Sequence, residues 1–292
     1  MMKSNILNLT RIFACFFLGI FMMTAFTFPE QAQNLEPLLE KISQKVAAYP
    51  VYKSWKAEVV SREIKMDKDW KPLEWTEVTK NVTVLDDRRE EEILKALKTK
   101  KGETTDITER YIKEEMKRRE KARKKEAQRR AQEKKSEDKQ EFKFSLAEMF
   151  PFGAKKRILY DFTLLEEAAL NGRRALVIEA RLKEEFKTPK KEDKESQSGR
   201  MTGDEEREDV LWDGQYLVDA ESYDILRLEV EPVKKQKLIK KFKMEIDFRV
   251  LEKGYLVFIK TKATFEASFL IKHIRMVAEE EYQNFTILDS RQ

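Results

Sequence analysis

The spacing of apolar side chains divides this chain before any motif does. In LEPLLEKISQKVAA, residues 35–48, Leu38, Leu39, Ile42 and Val46 recur at helical spacing, and Pro50 follows. One short helix is predicted there. Beyond it the period falls to two. Val60, Ile64 and Met66 alternate with charged residues in WKAEVVSREIKM, and Val78, Val82 and Val84 do the same in WTEVTKNVTVL. Both read as half-buried strands joined by a turn at 67–72.

Residues 109–141 carry no such stripe. After Met116 their only apolar residues are Ala122, Ala127 and Ala131, so no coiled-coil seam exists. The segment holds fourteen Lys/Arg and nine Asp/Glu, a net of +5 that equals the net of the whole chain. Five acids stand four residues before a base: Glu109–Lys113, Glu114–Arg118, Glu115–Arg119, Glu120–Lys124 and Glu126–Arg130. That order supports an exposed helix. A solvated helix or a disordered insertion is the plain reading. A basic arm that touches nucleic acid or anionic lipid is the sharper one, and the nine acids argue against nucleic acid.

After FPFG, residues 150–153, alternation returns. Ile158, Tyr160, Phe162 and Leu164 share one face, and Leu176, Ile178, Ala180 and Leu182 share another, with a hairpin turn at Asn171-Gly172. Residues 187–209 contain one apolar residue, Met201, and read as a polar flexible loop. LWDGQYLVDAESYDILRLEVEP, 211–232, reads strand, turn, strand. Met244, Ile246, Phe248 and Val250 alternate before a turn at Glu252-Lys253-Gly254. A long run follows, with Phe265, Ala267, Phe269 and Ile271 on one face. Many short strands at regular spacing predict an antiparallel sheet that curls or closes.

Charged residues make up 39% of the 292 and apolar ones 41%, too charged for a membrane-embedded protein but enough for a core. Lys3 and Arg11 precede an apolar run at 12–28, the pattern of a secretory signal or of an uncleaved signal anchor. Either places the remainder outside the cytoplasm, in the periplasm or its equivalent. The bulk of that run follows Cys15 instead of preceding it, so a lipoprotein box is rejected. With one Cys and one His, neither an internal disulfide nor a Cys/His zinc site is available. His273 is the single His base, and it is placed on the face of Phe269 and Ile271 as a hydrogen-bonded wall or rim residue. Ser61, Ser145 and Ser268 lack a nucleophile-elbow context, and no phosphate-binding Gly motif occurs.

Gly214-Gln215-Tyr216-Leu217-Val218-Asp219, a short turn, and Ile225-Leu226-Arg227-Leu228-Glu229 resemble a hallmark of the periplasmic lipoprotein-carrier superfamily, the LolA-like half-barrels that include outer-membrane lipoprotein-sorting proteins. Phe248–Leu256 with Gly254 resembles the next hairpin of that pattern, and Tyr282 and Phe285 its closing strand. Leu217 stands where the family often has Trp, and Val257 where it often has Pro. The resemblance implies an α+β fold: a curved antiparallel sheet, an incomplete barrel, with a short N-terminal helix and, outside the family pattern, a long charged helical insertion. The domains expected are a signal or anchor at 1–33 and one half-barrel at 34–292, interrupted by the insertion at 100–150 and the loop at 187–209.

The function this implies is non-catalytic binding of a lipid or lipidated protein, with no cofactor and no metal. Tyr160, Phe162, Ile246, Phe248, Phe265 and Phe269 are the candidate walls of a ligand cavity. Asp213, Gly214, Asp219 and Gly254 are read as structural turn residues, because Asp side chains cap turns and nothing catalytic converges on them. The alternative is an envelope interaction or regulatory scaffold that docks a protein partner through 109–141.

Overall fold

The computed structural model describes residues 35–86, 88–132, 150–187, 211–233, 239–269 and 272–288, excepting the side chains at 126, 128–132, 269 and 272. The polar loop expected at 187–209 lies outside the described residues except for Lys187, and the apolar run at 12–28 lies wholly outside them. The chain divides into Met1–Leu38 and Leu39–Gln292. Of the first unit, only the opening residues of helix α1 (Leu35–Ala47) are described.

The second unit is built on one antiparallel sheet. Its strands are β1 (Trp55–Met66), β2 (Pro72–Leu85), β3 (Arg88–Lys100), β4 (Glu103–Asp106), β5 (Tyr160–Leu164), β6 (Ala168–Leu170), β7 (Arg173–Leu182), β8 (Trp212–Asp219), β9 (Ile225–Pro232), β10 (Ile239–Val250), β11 (Leu256–Phe269) and β12 (Lys272–Ile287). They run in the order β4-β3-β2-β1-β12-β11-β10-β9-β8-β7-β5, with β6 also on β7. The sheet curves and does not close: β4 and β5 are its free edges. Among the described residues, three α-helices follow α1: α2 (Thr108–Gln132), α3 (Ala154–Arg157) and α4 (Glu184–Lys187).

Residues 100–150, expected as one charged helical insertion, therefore hold the end of β3, the strand β4 and α2, before residues 133–149, which are not among those described. The run after Gly254 is two strands rather than one. In β1 the buried positions are Trp55, Ala57 and Val59, not the Val60, Ile64 and Met66 face. Ile158 lies beyond the start of β5 and is exposed, because it closes α3.

The register sets the two faces. One cross-strand row runs Leu164–Ile178–Tyr216–Leu228–Ile246–Thr261–Glu280–Ser61–Val78–Ala96. Side chains directly opposite on neighbouring strands share a face, so this row marks the inner one. It is apolar at both ends and polar in the middle. The opposite face is charged: the row Glu229–Glu245–Lys262–Glu279–Arg62–Glu77 crosses six strands. Ion pairs lace it, among them Lys243–Glu229 at 2.7 Å, Arg62–Glu77 at 2.6 Å, Lys260–Glu281 at 3.1 Å and the forked Arg227–Asp247 pair. Much of the chain's high charge is thus spent on a solvated sheet face.

Candidate functional site

The apolar half of the inner face is covered by a short segment, Phe150-Pro151-Phe152, that enters just before α3. The Phe150 ring stands 5.7 Å from Phe248 and 6.5 Å from Tyr216, centroid to centroid. Phe152 meets Tyr216 edge-on at 5.1 Å and stacks on Phe162 at 5.9 Å. Phe150 is 1% and Phe152 0% exposed. Edge-on and offset arrangements suit aromatic quadrupoles, so the segment is fitted to its walls rather than merely resting on them. Helix α3 anchors the segment's far end through Arg157, which pairs with Glu40 of α1 at 3.1 Å.

Of the six candidate wall residues, Phe162 and Phe248 meet this segment directly, Tyr160 lies against Phe162, and Ile246 stands in the cross-strand row of Tyr216. Tyr160, Ile246 and Phe248 are buried and Phe162 is half-buried. Phe248 shares the inner face with Ile246 by plain alternation on β10, and the extra β11 residue at the Asp247/Phe248 register shift turns Phe258 to the same face, opposite Phe248. Phe265 lies elsewhere on the inner face, between Phe242 and Met276, and is half-exposed. Phe269 ends β11, and its side chain is not among those described. A second aromatic cluster lies on β1, β11 and β12. Trp55 stacks on Phe285 at 5.0 Å, and Phe258 meets Tyr282 at 4.6 Å.

Between the two apolar ends lies a charged centre that the alternation does not announce. Lys80 pairs with Glu91 at 3.2 Å and with Glu280 at 3.6 Å. The Tyr282 hydroxyl donates to Glu280 at 2.5 Å. Glu91 also accepts from Arg119 of α2 at 2.8 Å and pairs with Arg89. Burial pushes the Glu91 carboxyl up, but Lys80 and Arg89 outweigh it and hold Glu91 below the usual carboxylate range. Burial, then the Glu280 carboxylate, push the Tyr282 phenol up.

Of the four expected turn residues, Asp219 and Gly254 stand at turns, whereas Asp213 and Gly214 lie inside β8, paired with Glu231 and Val230 of β9. Asp213 accepts from the Leu182 amide at 2.6 Å. Asp219 accepts from the amides of Glu221 and Ser222 at 3.0 and 2.8 Å, and Arg173 pairs with its second oxygen at 2.8 Å. Asp224 binds Tyr49 and Lys45 and so ties the α1 end to the same turn. At Gly214 an added Cβ would strike the Glu229 carbonyl oxygen and lie 2.7 Å from Val230 Cγ1. Gly254 has φ +82 and follows Lys253 at φ 67, so this turn uses left-handed backbone twice.

His273 stands opposite Ser268, not on the Phe269 face. Its Nδ1 lies 2.7 Å from Ser268 Oγ, the ring is exposed, and the cross-strand neighbours on its face are Glu266 and Arg275, which pair with each other. Among the described residues no cluster of three His, Cys, Asp or Glu could hold a metal ion. No described helix is long and apolar enough to cross a membrane.

No family model matches this sequence, and no curated protein matches it. Among solved structures it is similar to a domain assigned to outer membrane lipoprotein sorting from Vibrio parahaemolyticus, at 12% identity and TM-score 0.33, covering 87% of this chain and 93% of that one. It is also similar to a LolA superfamily protein from Nitrosomonas europaea, at 11% identity and TM-score 0.28, covering 87% and 94%. A third is the MucA/MucB complex of Pseudomonas aeruginosa, at 7% identity and TM-score 0.23, covering 88% and 100%. Likeness of this degree leaves the function to be read from this chain's own residues.

Proposed function

We propose that this protein is a non-catalytic binding protein of the cell envelope, exported by its apolar N-terminal run, whose hollow takes an acyl chain of a lipid or lipidated partner where Phe150 and Phe152 now lie. The observation that carries the reading is the composition of that hollow. Its walls are Phe162, Phe248 and Tyr216, and its contents come from a short connecting segment rather than from a strand. An acyl chain is a fair substitute for two aromatic rings. Roughly ten methylenes gain about 8 kcal/mol on burial, against about 3–6 kcal/mol for two Phe side chains. The Tyr160 and Tyr216 hydroxyls beside the segment are buried, and burial opposes their ionisation, so neither suits acid–base chemistry near neutrality.

The test is a hydrophobic fluorescent probe titrated against wild type and a Phe150→Ala/Phe152→Ala variant, with a long-chain fatty acid as competitor. The expected result is weak binding by wild type, tighter binding by the variant, and displacement by the fatty acid. The near-complete burial of Phe150 and Phe152 favours a second reading, a permanently filled scaffold that docks a protein partner through α2. That reading takes over if neither protein binds the probe and the variant simply loses the full packing energy of its aromatics.

A further inference from the structure

Helix α2 is held to the sheet along one stripe, and that stripe determines what the other side presents. Thr108 ties the helix start to β3 by accepting from the Ala96 amide at 3.0 Å, and Asp106 accepts from the Thr108 amide of the helix start at 2.9 Å. Tyr111, Ile112, Glu115 and Arg119 are half-buried, and Arg119 locks the stripe to Glu91. These positions recur at helical spacing, so they form one face. From Glu120 to Lys125 every side chain is exposed.

The acids near the helix start are used locally. Glu114 pairs with Arg110 at 2.9 Å, and Glu115 pairs with Arg119 at 3.1 Å. The expected Glu109–Lys113 and Glu114–Arg118 pairs do not form; Arg118 reaches Glu115 instead, at 3.9 Å. What remains is a row of four lysines at i,i+4 spacing: Lys113, Lys117, Lys121 and Lys125. All four are exposed, and none forms an ion pair among the described residues. Like charges at that spacing repel, which destabilises an isolated helix. Residues 117–125 contain seven Lys/Arg and a single acid, Glu120, already paired with Lys124 at 2.7 Å. Of the described acids, Glu114, Glu115 and Glu120 are thus each paired with a cation other than these four lysines.

We infer that the Lys113–Lys117–Lys121–Lys125 ridge docks the protein on a bilayer surface rich in anionic phospholipid headgroups. The complement must be anionic and broad, because the four ammonium groups follow about three turns of helix. Apolar contact is slight, because Met116 is the one large apolar side chain exposed on the described part of the helix. Aromatic side chains that would stack on bases are missing from the ridge. A field of phosphates fits these conditions, with the helix lying on the headgroups and not inserted among the acyl chains. The inference rests on α2 alone and stands whether or not the hollow opens.

Full-length protein sedimented with vesicles of pure phosphatidylcholine and of equimolar phosphatidylcholine and phosphatidylglycerol tests this. The difference between the two vesicles removes whatever residues 12–28 contribute to both. Preference for the anionic vesicles, weakening as salt rises, is the expected result. Lys→Gln at 113, 117, 121 and 125 together should lower that preference roughly a thousandfold, at about fivefold for each lysine removed. Gln keeps helix propensity close to that of Lys, so circular dichroism should be unchanged. Lys→Gln at the exposed Lys53, Lys56, Lys68 and Lys95 makes the same change in net charge and should leave the preference within about threefold. Equal binding to both vesicles overturns the inference. So does an equal loss in the two quadruple variants, and so does tighter binding to a duplex oligonucleotide than to the anionic vesicles at the same salt.

Discussion

Arg119 of α2 reaches Glu91 of β3 with one guanidinium nitrogen at 2.8 Å and holds Glu115 of its own helix with another at 3.1 Å. One side chain thus joins the helix to the charged centre of the sheet. Arg119→Ala should cost about 1 kcal/mol of global stability, the range of a partly exposed ion pair. It should speed amide exchange across residues 108–119 much more than elsewhere. Lys124→Ala removes only an exposed pair and should leave both unchanged. Equal exchange in the two variants would show that α2 needs no such anchor.

Gly214 has no room for a side chain. Gly214→Ala sets a methyl group against the Glu229 carbonyl oxygen and the Val230 backbone, so β8 and β9 must part. Urea melts should report a loss of at least about 1–3 kcal/mol. Gly153→Ala is the contrast. Its added carbon meets nothing within 4 Å and its φ is −63, so its effect should stay within about 0.5 kcal/mol.

Asp219 gives the fold part of its acid sensitivity. Burial opposes its charge, but the Ser222 and Glu221 amides, the Ser222 hydroxyl and Arg173 outweigh that and hold its pKa below the usual value. A depressed carboxylate contributes stability above the unfolded pKa of about 3.9 and loses it as pH falls through the folded value. Asp219→Asn should therefore lower the urea midpoint at pH 7, by roughly 1–3 kcal/mol of stability. It should also flatten the decline below about pH 4. An identical acid limb in both proteins would assign that sensitivity to other carboxylates.

Export is checked directly. In a Gram-negative host the protein should fractionate outside the cytoplasm, with its N-terminus between Phe28 and Leu35. Recovery in the membrane fraction with an intact N-terminus would identify residues 12–28 as an anchor.

Much of the sheet was legible because its turns are local. Asn171 and Gly172 take φ 53 and 77, as a two-residue hairpin requires, and the 252–254 turn lies where its Gly announces it. Strand β3 was not legible. It is rich in Glu, Lys and Arg, and a bulge opposite Thr79/Lys80 breaks its alternation, leaving Leu94 exposed while Ala96 is buried. Phe150-Pro151-Phe152 read only as a boundary, because its partners, Tyr216 and Phe248, lie far along the chain. The Lys80–Glu91–Glu280 centre was hidden for a related reason. Each residue is one polar position among many on its own strand, and only the register assembles the three.

The charged face also acts as a reading frame. A slip of one residue between β11 and β12 would turn the apolar side chains outward, and burial forbids it. A slip of two residues keeps every face as it is, so burial cannot detect it. The charges can. In the native frame Lys260 faces Glu281, Lys262 faces Glu279 and Glu266 faces Arg275. Two residues one way, Lys262 faces Glu281 while Lys260 meets Gln283 and Glu266 meets Val277. Two residues the other way, Lys260 faces Glu279 while Lys262 meets Val277. Either error keeps one Lys–Glu match and strands the remaining charges beside uncharged or like neighbours. Each pair adds little strength alone, yet together they proofread the alignment of two long strands that hydrophobicity leaves degenerate.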